Sequence, residues 1–216
     1  MNNLINKILL IVLSITIIYG CNNSESNNYM LVSGKIDGLR KGKLYLQQFV
    51  DSVFVSIDST VVNNEFEFNL GTEIIEPDIY YLYLDKVDGD SVNDRIKFFG
   101  DTGEITINSR LITFDSNAEI SGSKNQALME EYRLIIRKFN LENLDLLEIY
   151  YDSQINGNNK RFDSVNDAID NLIKRKYLYS LNFATTNSDY EISPFILTTE
   201  VPDANKKLLK QVYDKF

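Results

Sequence analysis

The chain has 216 residues, of which 44% are apolar and 25% charged, a composition that suits one medium globular domain or two small ones and excludes general disorder. It contains no His and one Cys, which excludes imidazole catalysis, His metal sites, dithiol redox chemistry and an intrachain disulfide. With 22 basic against 31 acidic residues the formal charge is −9, the wrong sign for a general nucleic-acid binder.

In chain order, the first feature is a single charge, Lys7, followed by the apolar run Ile8 to Ile18 and then Tyr19-Gly20-Cys21. This pattern predicts a secretory signal over residues 1–20. The run is about half of the roughly 20 residues that a transmembrane helix needs. A small residue, Gly20, directly before the only Cys resembles a bacterial lipobox, so Cys21 is the expected lipid attachment point and mature N-terminus, although Tyr19 departs from the usual small or aliphatic residue. Residues 21–28 then read as a polar tether, because Asn22 to Asn28 offer nothing apolar to bury. Extended, they reach about 25–29 Å, enough to hold a domain clear of lipid headgroups. Asn at position 22, where a retention signal would place Asp, favours the outer membrane. The expected location is therefore the cell envelope, lipid-anchored.

Residues 29–122 read as a β domain, with period-2 alternation, many β-branched and aromatic residues, and turn signals every eight to twelve positions. The expected strands are Tyr29–Ile36, Lys43–Phe49, Val53–Ile57, Val61–Val62, Glu65–Leu70, Ile79–Leu84, Ile96–Phe99, Ile105–Asn108 and Ala118–Ser121. Turns are expected at Asp37-Gly38, Lys41-Gly42, Asn63-Asn64, Asp88-Gly89-Asp90 and Thr102-Gly103.

Residues 123–216 read as helical. Ser123 to Gln126 fits a capping box, and Leu128, Tyr132, Ile135, Ile136 and Phe139 recur on one helix face. Leu141–Tyr151 is expected as a second segment. Ser164 is expected to cap a third, with Val165, Ala168, Ile169, Leu172 and Ile173 buried, and Asp203–Phe216 a last one carrying Leu208, Leu209, Val212 and Phe216. Strands first and helices afterwards predict an α+β chain: an N-terminal antiparallel β-sandwich or partly open barrel followed by a C-terminal helical bundle.

Four polar or aromatic features are candidate sites. Asp58-Ser59 is a sharp polar pair, but with no His and no matched Lys nothing activates the hydroxyl, and a turn joining two strands is the better reading. The stretch Asp85 to Asp94 offers Asp88, Asp90 and Asp94 as oxygen ligands for calcium, without the EF-hand order of residues. Asp152 to Asp163 comes nearer, with Asp152, Asn156 and Asp163 at ligand positions and Gly157 at the sixth place. Yet Lys160 and Arg161 oppose a dication, and an inter-helix loop explains the stretch better. In Tyr80 to Leu84, alternation puts Tyr81 and Tyr83 on one face and Tyr80, Leu82 and Leu84 on the other. The first pair either forms an exposed aromatic row or lies beneath a second layer.

Several motifs in their order resemble a known family. They are Gly34-x-Ile36-x-Gly38-Leu39, Gly42-x-Leu44-Tyr45-Leu46, Ile57-Asp58-Ser59-Thr60-x-Val62 with Phe66-x-Phe68, Pro77 before Tyr80-Tyr81-Leu82, Phe98-Phe99-Gly100-x-Thr102-Gly103-x-Ile105-Thr106-Ile107, and Ile120-Ser121-Gly122-Ser123-x-Asn125. Together they resemble the DUF4369 family, a domain of unknown function found in envelope lipoproteins of diderm bacteria. It is commonly the N-terminal part of thiol:disulfide interchange proteins that end in a thioredoxin-like domain. Gly100 after Phe99, with the acid at Asp101, departs from the family pattern. The resemblance implies a chain that holds the non-redox portion of that architecture, with no Cys pair to exchange.

The resulting expectation is a non-catalytic binding or scaffold module, with no cofactor, a membrane contact through its lipid, a protein or glycan partner, and no nucleic acid. The alternative is an accessory of envelope thiol–disulfide metabolism that lacks its own redox site. A hydrolase using only carboxylates is a third reading, for which the sequence pairs no two acids.

Overall fold

The computed structural model of the chain describes residues 28–63, 67–86, 94–202 and 206–214. Eight strands, β1 (Tyr29–Asp37), β2 (Lys41–Val50), β3 (Val53–Asn63), β4 (Glu67–Glu73), β5 (Asp78–Asp85), β6 (Arg95–Gly100), β7 (Gly103–Arg110) and β8 (Glu119–Ser121), precede four helices. These are α1 (Lys124–Ile155), α2 (Asn159–Thr186), α3 (Ile192–Glu200) and α4 (Lys206–Tyr213). The strands make two four-stranded sheets, sheet I in the order β4-β1-β7-β8 and sheet II in the order β3-β2-β5-β6. Neither closes on itself. The architecture is an open sandwich followed by helices, and the α+β class expected from the pattern holds.

Alternation builds the sandwich core. Met30, Val32 and Ile36 of β1 with Ile105 and Ile107 of β7 face Leu44 and Leu46 of β2, Leu82 and Leu84 of β5, and Ile96 and Phe98 of β6, all nearly inaccessible to solvent. Each such side chain contributes about 1.5–3 kcal/mol by leaving water. The alternate residues of the same strands point outward, polar ones such as Ser33 and Lys35 from β1 but aromatic ones such as Tyr45, Tyr81, Tyr83 and Phe99 from sheet II.

The strand order is not a meander, since β1 joins β4 and β7 and β2 joins β5, and the pairing is antiparallel except at one place. β1 pairs with β4 antiparallel but with β7 parallel, Val32 standing opposite Ile105. Gly34 sits at this seam, where a Cβ would stand 1.8 Å from the Ile107 carbonyl oxygen. Only a residue without a side chain lets the two backbones approach this closely.

Two expected turns are strand instead. Lys41-Gly42 opens β2, because the turn closes earlier through a Leu39 N–H to Ile36 carbonyl bond of 3.1 Å and Leu39 is buried. Asp58-Ser59 lies inside β3, which runs unbroken with a register shift that leaves Ile57 unpaired as a bulge. The Asp58 carboxylate accepts the Ser59 N–H at 2.7 Å and the Gly71 N–H of β4 at 2.9 Å, and so joins the two sheets at their edge.

The helices also differ from their expected limits. Leu141–Tyr151 is not a separate segment but the middle of α1, whose 32 residues extend about 48 Å. Ser123 caps it, its hydroxyl accepting the Gln126 N–H at 3.0 Å, but only this half of the expected capping box forms, because the Gln126 side chain turns to Phe99 and Glu130. α2 starts at Asn159 and not at Ser164, because the Asn158 side chain accepts the Arg161 N–H at 3.1 Å and provides an earlier cap. α3 was not anticipated. Its short run tolerates Pro194 because the first turn of a helix needs no amide donor there. Of the last stripe, Leu209 packs on the helical core, while the side chains of Leu208, Val212 and Phe216 lie outside those described.

The helices pack on the outer face of sheet II. Ile79 and Phe99 join Leu128, Met129, Tyr132, Leu181, Phe183, Ala184, Ile192 and Ile196 in a second core. Two buried amides make the joint. Gln126 accepts the Phe99 N–H of the edge strand β6 at 2.7 Å, and Asn125 accepts the Ile192 N–H at 3.0 Å while donating to Glu191 at 2.7 Å. An edge strand is thereby covered and α3 is held at its N-terminus. No helix among the described residues is long and apolar enough to cross a membrane.

Candidate functional site

The register of sheet II places Lys43, Tyr45, Gln47 and Phe49 of β2 on its outer face with Phe54 of β3, Tyr81 and Tyr83 of β5, and Arg95 and Lys97 of β6. The helices roof the Ile79–Phe99 end and leave the rest open. The two expectations for Tyr80 to Leu84 therefore divide along one strand. Tyr80, Leu82 and Leu84 enter the sandwich core, Tyr81 packs against the helical cluster, and Tyr83 remains half-buried on the open side.

The open half is an aromatic layer held by cations. Tyr45 stacks on Tyr83 with centroids 5.8 Å apart, Phe54 meets Tyr81 edge-on at 5.0 Å, and Phe49 meets Phe54 at 5.0 Å. The Arg95 guanidinium lies 4.4 Å from the Phe54 centroid and 4.3 Å from that of Tyr83, and its Nε donates to Gln47 Oε1 at 3.3 Å. Gln47 in turn donates to Ser56 at 3.1 Å, and the Lys43 ammonium sits 4.6 Å from the Tyr45 centroid. Each ring is thus fixed in place by a cation or another ring.

Beyond this layer the β2–β3 hairpin extends to a two-residue turn, Asp51-Ser52, both residues at positive φ. Both faces of the tip are apolar and exposed: Phe49, Val50, Val53, Phe54, Val55 and Ile57 are between 39% and 57% accessible. Period-2 reasoning missed this surface by assigning strands a dry and a wet side. The signal was present in Phe49-Val50 and Val53-Phe54-Val55, consecutive apolar residues that leave neither face polar.

A cleft of about 500 Å³ opens beside β6, between residues 115–120 and α1. Arg95, Lys97, Arg133 and Arg137 line it against only Asp115 and Glu130, in a chain that is acidic overall. Burial holds the Lys97 ammonium below its ordinary pKa, the nearby Arg133 charge adds to this, and Glu200 partly offsets it. Arg133 pairs with Glu130 at 3.3 Å.

The residues singled out from sequence do not gather in one place. Cys21, Asp88 and Asp90 lie outside the described residues. Asp94 is buried and ion-paired with Lys86. Asp152 lies in the last turn of α1, where Asn156 donates to it at 2.9 Å and Arg161 pairs with it at 3.0 Å, while Asp163 lies within α2. The twelve-residue calcium loop is thus replaced by a three-residue link between helices, with an arginine where a dication would need to sit. Among the described residues no three acids stand close enough to hold a metal.

Residues 30–129, from β1 into the first turns of α1, match the family described as a domain of unknown function, DUF4369. No curated protein matches the chain. Among solved structures it is similar to sea bream transthyretin in complex with thyroxine, at 15% identity over 44% of this chain and 96% of that one, with a TM-score of 0.30.

Proposed function

We propose that this chain, which carries a DUF4369 domain over residues 30–129, is a non-catalytic binding module of the cell envelope, lipid-anchored at Cys21, that holds a protein partner at the β2–β3 hairpin and the open half of sheet II. The observation that carries this reading is the hairpin tip, with exposed apolar residues on both faces at the edge of a sheet. A strand edge with free backbone groups and apolar side chains to either side suits an added strand from another chain. A protein fits better than a glycan. Arg95 and Lys43 already occupy ring faces that a sugar would stack upon, whereas aliphatic Val53 and Val55 match apolar side chains.

The test places a photo-crosslinking residue at position 54 of the anchored chain in growing cells. A discrete protein adduct is expected, and it should vanish when Val53 and Val55 are both changed to Ser. An adduct that survives those changes, or none at all, counts against the hairpin. The anchor has its own check: Cys21→Ser should leave the chain unprocessed or release it to the soluble fraction.

A further inference from the structure

Helix α1 is covered along one side by α2, through Glu142 with Arg175, Tyr150 with Phe162 and Asp152 with Arg161, and left open along the other. Its fully buried residues are Asn125, Gln126, Leu128, Met129 and Tyr132 at one end and Ser153 at the other. On the side away from α2, Leu134, Leu141, Leu144, Tyr151 and Ile155 are exposed, at 60%, 56%, 61%, 58% and 84%. These positions are spaced by threes, fours and their sums. The two gaps in the alternation fall at Arg137 and Glu148, so residues 134, 137, 141, 144, 148, 151 and 155 form one seam of a and d positions. At about 1.5 Å per residue it runs for about 32 Å.

The seam is complementary to itself when reversed. An antiparallel copy that places Leu141 against Leu144 also places Leu134 against Tyr151 and Arg137 against Glu148, each pairing occurring twice about one two-fold axis. A parallel copy would instead oppose Arg137 to Arg137 and Glu148 to Glu148. From Arg133 onward the charges along α1 point the same way, with Arg133, Arg137 and Lys138 after the acidic pair Glu130-Glu131, and Glu142, Asp145, Glu148 and Asp152 towards its end. Glu142 and Asp152 are engaged by Arg175 and Arg161 of α2, and Arg133 by Glu130. Arg137 and Glu148 have no ion-pair partner among the described residues.

We propose that a second copy of this chain docks on the outer face of α1, antiparallel and two-fold symmetric, with Arg137 against the partner's Glu148. Four helices then stack in the order α2, α1, the partner's α1, the partner's α2. The partner's Ile155 lies at the mouth of the cleft that Leu134 and Arg137 line. The inference is independent of the partner proposed for the β2–β3 hairpin, which lies on another surface.

The test co-expresses two differently tagged copies of the full chain and measures how much of one is captured with the other after detergent extraction. Co-capture well above that of an unrelated lipid-anchored protein is expected. Arg137→Glu in both copies, or Glu148→Arg in both, should lower it by about tenfold, and the two changes together should restore it. These residues are exposed, so circular dichroism should show every variant folded. For orientation, both copies carry Cys21→Ser. Leu134→Cys in one copy should oxidise to a disulfide with Tyr151→Cys in the other, and Leu134→Cys should not cross-link to itself. Co-capture at background, single charge variants that pair normally, a combined variant that stays apart, or cross-linking of position 134 to itself would each overturn the proposal.

Discussion

Replacing Gln126 by leucine tests what holds the helices to the sandwich. The side chain is fully buried, its Oε1 accepts the Phe99 N–H at 2.7 Å, and its Nε2 donates to Glu130 at 2.7 Å. Leucine keeps nearly the same volume, so the change leaves little cavity. It does orphan the Phe99 amide, which faces α1 from the edge strand β6 on a residue only 1% exposed, where water does not easily replace the lost acceptor. An unpartnered buried donor costs about 1–3 kcal/mol. At about 2–4 °C per kcal/mol for a chain of this size, a loss near 2 kcal/mol lowers the melting midpoint by about 4–8 °C. The assay is urea unfolding with native-state hydrogen exchange, in which the Phe99 amide should lose more protection than amides deep in the sandwich. Gln126→Glu discriminates further. It keeps an acceptor for Phe99 but sets a second carboxylate beside Glu130, so its folded pKa lies above the unfolded value near 4.3. Such a group binds protons more tightly when folded, and stability should rise as the solution is acidified from neutral towards that value. A leucine variant within about 0.5 kcal/mol of the parent would refute the reasoning, by showing that α1 docks without this bond.

Gly34→Ala should prevent the β1–β7 pairing from forming, because its Cβ would fall 1.8 Å from the Ile107 oxygen, and the variant should accumulate as unfolded protein. Gly157→Ala, at φ +63 with nothing within 4 Å, should cost only about 1–2 kcal/mol in urea unfolding, and equal damage at both positions would undercut the argument from close approach. Alkali should unfold the protein through phenols that the fold shields wholly or in part. Tyr80, Tyr81, Tyr132 and Tyr179 are all held above the ordinary tyrosine pKa, in each case mainly by burial. The unfolded chain releases these protons first, so stability should fall as the pH rises past about 10, with tyrosinate absorbance appearing together with unfolding. Phenols that titrate freely while the protein stays folded would contradict the burial.

The alternation from Tyr29 to Ser121 and the switch of period at Ser123 made the α+β class legible, since inward and outward positions of a strand, and the stripe of a helix, are properties of the chain itself. So was the capping of α1 by Ser123, a contact within three residues. What failed locally failed for one reason. Asp58 looks like a turn residue because its carboxylate can bond nearby amides, yet it spends one oxygen on Gly71, thirteen residues away, across a gap between sheets. Ser164 looks like a cap, but Asn158 precedes it and starts the helix first. The candidate surfaces were less legible still. The aromatic layer needs Tyr45, Phe54, Tyr83 and Arg95 to converge from four strands, and its exposure depends on where the helices end. The seam on α1 was present in the spacing of Leu134, Leu141, Leu144, Tyr151 and Ile155, but it became visible only when α1 proved continuous and its other face was seen to be taken by α2. Local chemistry and period are written along the chain, whereas which apolar faces remain uncovered is decided by how the layers meet.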